Sequence, residues 1–107
     1  MEEQGVRVAN MMAGQWWRQV ADKIDDFEKL EDGWDGQGAP AVHKDAVAWA
    51  RKAAVCMEAL RFPTPQRVMA GVGSTIHFEW WDFAGHYISV EASEEGLAAF
   101  CNTPPTP

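Results

Sequence analysis

The sequence predicts an α+β domain in which two N-terminal helices pack on an antiparallel β-meander of three to four strands. Three observations carry this. Apolar residues repeat at steps of four and three from Val8 to about Leu30, and again from about His43 to Leu60, which is the period of one helix face. From Ser74 onward the period becomes two, as in a strand with one buried side. Between the helical stretches lies Gly33-Trp34-Asp35-Gly36-Gln37-Gly38-Ala39-Pro40, which no helix absorbs.

The first helical stripe is Ala13, Trp17, Val20, Ile24 and Phe27, widened by Met12 and Trp16. Gly14 costs about 1 kcal/mol inside a helix relative to alanine and marks a kink or a late start. The corner then turns on its glycines, with Trp34 turned inward as an anchor and Asp35 accepting from nearby backbone amides. The second stripe is Ala46, Ala50, Ala53, Met57 and Leu60, a thin face that lets the bulky first helix approach closely. Its N-cap is not the usual Ser or Asp, although Asp45 in the first turn suits the helix dipole. Phe62-Pro63-Thr64-Pro65 ends it.

Arg67 to Val72 reads as a short edge strand or an extended loop. Ser74–Trp81 alternates with Ile76, Phe78 and Trp80 on one face. His86–Ala92 alternates with Ile88, Val90 and Ala92, and Leu97–Cys101 is a last strand. The faces of Ile76, Phe78, Trp80, Ile88 and Val90 are expected to cover the helix pair. Residues 1–6 and 103–107 read as flexible tails, the latter because prolines cannot donate to a sheet.

At 107 residues the chain is one domain, 1–107, with six tryptophans and five phenylalanines to fill its core. A formal charge of −7 argues against direct nucleic acid binding, which requires clustered Lys and Arg on the phosphate backbone. No apolar run has the length of a membrane span, and the N-terminus is acidic where a secretory signal is basic. The expected location is cytoplasmic, with no membrane partner. Cys56 and Cys101, without CxxC spacing, are expected to be buried free thiols rather than a disulfide.

The string Leu30-Glu31-Asp32-Gly33-Trp34-Asp35-Gly36-Gln37-Gly38-Ala39-Pro40 resembles a group of small bacterial and phage-type proteins with a "GWDGxGA" corner between helices. A Pro-rich break and an "hxhEWW"-like strand, here Ile76-His77-Phe78-Glu79-Trp80-Trp81, extend the resemblance over roughly residues 28–100, as does Tyr87-Ile88-Ser89-Val90-Glu91. It implies a compact fold and a mobile-element setting. It assigns no catalytic residues, and Trp16-Trp17 stands outside the motif.

For chemistry, His77, Glu79 and Glu91 are expected on one sheet face, with Glu79 opposite Tyr87 and His77 opposite Ser89. They form an acid/base or metal site, or else the solvated face of an antiparallel sheet. The Pro-Cys-x-x-Cys partner of the zinc deaminases is absent, Gly71-Val72-Gly73 lacks a P-loop lysine, and Asp32 and Asp35 lack EF-hand spacing. No cofactor, metal or catalytic residue is expected.

Two features point to binding instead. Asp22, Asp25, Asp26, Glu28, Glu31, Asp32 and Asp35 place seven of the sixteen acids within fourteen residues. They read as a solvated face or as a surface for a basic patch on another protein. Six tryptophans are also hard to bury together, which leaves Trp16, Trp81 or Phe83 as surface anchors. The reading is therefore a small acidic, non-enzymatic protein, monomeric or weakly dimeric, that binds another protein. A phage or mobile-element inhibitor of a host defence system, such as an anti-CRISPR protein, fits this description. A small enzyme or metal protein using His77, Glu79 and Glu91 is the second reading. The third is a module that self-associates through its tryptophan-bearing helix.

Overall fold

A computed structural model describes the backbone of residues 2–102 and the side chains of residues 14–102. The side chains of Met12 and Ala13 and the expected tail 103–107 lie outside the described parts. Helix α1 spans Glu2–Glu28 and α2 spans Lys44–Ala59; strands β1 (Arg67–Gly71), β2 (Thr75–Trp81), β3 (Tyr87–Ser93) and β4 (Gly96–Asn102) follow. The strands form one antiparallel sheet in the order β1-β2-β3-β4, an α+β arrangement with the helices N-terminal to the strands. No described helix is long and apolar enough to cross a membrane.

Helix α1 begins earlier than expected, at Glu2 rather than Val8, and runs through Gly14 without a break. The helix ends on two short-range bonds, Lys29 N–H to Asp26 O and Leu30 N–H to Phe27 O.

In the corner, Gly33, Gly36 and Gly38 all have positive φ, which is why glycine stands there. One Oδ1 of Asp35 accepts from the amides of Gln37 and Ala39, each at 2.9 Å, and holds the Asp35 carboxyl below the usual carboxylate range. Trp34 packs on the core and donates from Nε1 to the Pro40 carbonyl at 2.9 Å. Asp32 closes the loop from the other side by accepting from the Ala41 amide.

The cap of α2 was not legible in the sequence: it is His43. Its Nδ1 accepts from the Asp45 amide at 3.1 Å, and its Nε2 lies 3.1 Å from Glu94 in the β3–β4 turn. An acceptor at Nδ1 places the proton on Nε2, so the imidazole ties the helix start to the sheet. Ala46, Ala50, Ala53 and Met57 are buried as their spacing predicts. Leu60 is not. It is the C-cap of α2 and is exposed, because the helix stops before a further turn turns it inward.

The core lies between the helices and one sheet face, with Ile24, Ala46, Ala50, Ile76, Phe78 and Ala92 fully buried. In register, Val68 and Val90 flank Phe78, and Ala70 and Ala92 flank Ile76, so a single row of apolar pairs faces the helices. Ile88 shares that face but is exposed, since it stands near the end of the sheet beyond the packed row. Both cysteines are exposed free thiols, which corrects the expectation of burial. Cys56 faces away from the α2 stripe, and Cys101 lies on an uncovered edge strand.

Candidate functional site

Chain geometry places the candidate site around the linker between α2 and β1. Helix α2 closes with a paired bond set: Arg61 N–H to Glu58 O at 3.0 Å, and Phe62 N–H to Met57 O at 2.9 Å. These are the two bonds of a Schellman motif, whose turning residue is usually glycine. Here it is Arg61, at φ 61°. A left-handed conformation costs a side-chain-bearing residue about 1 kcal/mol or more, and such strain collects at functional positions. Arg61→Gly is therefore expected to raise stability by about 0.5–1 kcal/mol in urea melts, because the turn needs no Cβ.

After the turn, Phe62 to Gln66 is clamped to the sheet. Trp80 Nε1 donates to the Pro63 carbonyl at 2.8 Å, and Gln66 N–H bonds the Glu79 carbonyl at 2.9 Å. Gln66 Oε1 accepts from the Trp81 amide. On one side of this strap lies a cleft of about 840 Å³ against α1, with Trp16, Lys23, Arg61, Phe62 and Arg67 in its lining and Trp17 in its buried wall. On the other side a shallower depression is bordered by Trp80, Trp81, Asp82 and Ile88, and it shares Pro63, Thr64 and Gln66 with the first. Trp16 (48% exposed), Phe62 (49%) and Trp81 (45%) thus ring one rigid strap, while Phe83 stands wholly exposed on the turn beyond Trp81.

The predicted acids lie elsewhere. Asp22, Lys23, Asp25, Asp26, Glu28 and Glu31 are all exposed. Asp25 and Glu28 are both engaged by Arg51 of α2, at 2.8 and 2.7 Å, and together they raise the arginine's pKa. That fork joins the two helices, although exposed pairs contribute only about 0–1 kcal/mol each. Asp22, Asp26 and Glu31 have no ion-pair partner among the described residues. Trp16 and Lys23 turn to the cleft, so α1 presents acids on one flank and an aromatic–basic edge on the other.

His77, Glu79 and Glu91 do share the open sheet face, but the register differs from expectation. His77 is opposite Glu91, Glu79 is opposite Ser89, and Trp81 is opposite Tyr87. The turn explains the two-residue shift. Asp82 N–H bonds the His86 carbonyl, and Asp82 Oδ1 accepts from the Ala84 and His86 amides at 2.9 Å, so the loop is Asp82 to His86.

These groups are occupied separately. Glu79 binds Arg67 Nε at 2.5 Å and accepts from the Tyr87 hydroxyl. The Arg67 guanidinium lies over the Trp81 ring at 5.8 Å. His77 Nε2 meets Thr75 Oγ1 at 2.9 Å. Gly71 exists for that contact: a Cβ there stands 2.4 Å from Thr75 Oγ1 and 2.5 Å from His77 Nε2. Among the described residues, no three His, Cys, Asp or Glu side chains come together to hold a metal ion.

Arg67 holds the Glu79 carboxyl below its usual range, with burial opposing and Tyr87 assisting. Glu79 in turn raises Tyr87. Glu79 is only 5% exposed, yet its cover is one layer of side chains on a face with no helix over it. The His86 amide likewise lowers Asp82. A lowered folded-state carboxyl binds fewer protons than the unfolded chain, so it stabilises above the unfolded value and the gain is lost on acidification. Stability is expected to hold from neutral pH to about 5 and to fall below it. Glu79→Gln is expected to flatten that fall while lowering neutral-pH stability by about 1–2 kcal/mol, as read by urea melts across pH.

Searches against family models, characterised proteins and solved structures find no match to this chain.

Proposed function

We propose that this chain works by binding another protein through the aromatic surface around the Phe62–Gln66 strap. One observation carries the reading: Phe62 and Trp81 stand roughly half exposed on a strap and strand end joined by side-chain and main-chain bonds, with the equally exposed Trp16 of α1 across the cleft. Large apolar side chains left in water on a rigid support supply binding energy at little ordering cost. The outer acids Asp22 and Asp26 of α1, with Glu31 just past its end, favour a partner whose neighbouring surface is basic and chiefly speed its approach. Lys23 and Arg61 at the cleft, with Glu58 as the acidic residue in the lining and Arg67 paired to Glu79, favour a neutral or acidic segment for the cleft itself.

The resemblance to phage-type proteins adds the class of partner: a host defence protein with a basic nucleic-acid site, as an anti-CRISPR protein occupies. The test is capture from host lysate by the wild-type chain compared with Trp16→Ala and Trp81→Ala, followed by titration of the captured protein. Loss of capture in the variants supports the reading. Equal capture by all three overturns it.

A further inference from the structure

We infer that β4 is a self-pairing edge through which two copies of this chain join their sheets, antiparallel about a two-fold axis at Ala99. This goes beyond the aromatic surface and does not depend on it.

The two edges of the sheet differ. Strand β1 is five residues long, carries Arg67 and follows Pro65, which are devices that blunt an edge. Strand β4 is seven residues long, Gly96-Leu97-Ala98-Ala99-Phe100-Cys101-Asn102, with no charge and no proline. Every residue from Leu97 to Asn102 is exposed. Leu97, Ala99 and Cys101 lie on the helix-side face in register with Ala92, Val90 and Ile88, while Ala98 and Phe100 lie on the open face. Both faces of the edge are therefore apolar.

The hydrogen-bonding groups follow from the turn. Ser93 pairs with Gly96 across the two-residue Glu94–Glu95 turn, so that pair exchanges its bonds inward. Counting outward, the amides and carbonyls of Leu97, Ala99 and Cys101 point away from β3. They form a row of unpaired donors and acceptors that a second strand satisfies.

A second copy is the occupant because the strand complements itself. With Ala99 on the axis, Leu97 faces the other copy's Cys101 and Ala98 faces its Phe100, small against large on both faces. Trp49 of α2 stands beside Gly96 and is part-exposed, so it flanks the same edge. Charge selects the direction. The chain carries −7, and two copies repel wherever charged surfaces meet. Antiparallel pairing sets the two Glu94–Glu95 turns at opposite ends of the join, about 27 Å apart at strand rise and beyond the screening length. Parallel pairing sets them side by side.

One strand edge buries less than a standard interface, so the dimer is weak and concentration-dependent. The test is sedimentation velocity of the full chain from micromolar to millimolar. The expected result is a mass rising toward twice the monomer, abolished by Ala99→Lys, which opposes like charges on the axis. Circular dichroism is expected to be unchanged, since Ala99 is exposed. Ala99→Cys in a background with Cys56→Ser and Cys101→Ser is expected to give an oxidised covalent dimer. A monomer at every concentration overturns the inference. So does a dimer indifferent to Ala99→Lys but lost in Trp16→Ala, which places the join on the helix.

Discussion

Phe78→Ala is expected to lower the unfolding free energy by about 3–5 kcal/mol, the largest effect of any single substitution proposed for this chain. Phe78 has no exposed surface and sits at the centre of the apolar row, between Val68 and Val90 on the helix side of the sheet. The space it leaves does not close easily. Its neighbours belong to strands held in register on either side, and α2 meets the core mainly with alanines, Ala46, Ala50, Ala53 and Ala54, beside Val47 and Met57, so little side chain is free to extend into the void. A domain of this size has a total stability of roughly 5–15 kcal/mol, so the variant loses a large part of it. Urea unfolding followed by tryptophan fluorescence measures the loss, with Phe100→Ala on the exposed face of β4 as the control, expected within about 0.5 kcal/mol of wild type. A loss below about 1 kcal/mol for Phe78→Ala contradicts this packing.

The second large effect is on binding. Trp16→Ala and Trp81→Ala are each expected to weaken the captured partner by about ten- to a hundredfold, or about 1.4–2.7 kcal/mol, while thermal stability changes little. Both rings are about half exposed, so most of what they lose is contact with a partner rather than core. Calorimetric titration measures it. The charge contribution is separable: Asp22→Lys with Asp26→Lys is expected to slow association and weaken its salt dependence, leaving dissociation nearly unchanged. Asp25 and Glu28 are the wrong choice for such a reversal. Reversing them also breaks the Arg51 fork between the helices and mixes folding with binding.

Much of the helical half was legible because it rests on local rules. The steps of four and three in Trp17, Val20 and Ile24 and in Ala46, Ala50 and Ala53 name buried faces, and the structure buries them. The glycines of the corner carry positive φ, and the Asp35 acceptor follows from its short side chain. The site was less legible. That Trp16 and Trp81 stay exposed was readable from the crowding of six tryptophans, but not that the Phe62–Gln66 strap stands between them. Phe62 itself was read only as part of a helix stop. The positive φ of Arg61 had no such signal, since many helices end without a left-handed residue and the absence of glycine does not mark one.

By itself, then, the sequence determined two amphipathic helices, a glycine-bearing corner between them, and alternating strands after the proline break. These depend on residues a few positions apart, whose geometry is set by backbone sterics and period. The β2–β3 register turned on a local detail that periodicity does not show, the Asp82 carboxylate gathering the Ala84 and His86 amides and moving the five-residue loop one position along the chain. Tertiary structure alone decided the pairing of Asp25 and Glu28 with Arg51, the joining of Trp16 and Trp81 across one strap, and the exposure of Leu97–Asn102 on β4. Each of these brings together groups distant in the chain, and no local periodicity encodes which distant surface an element will meet.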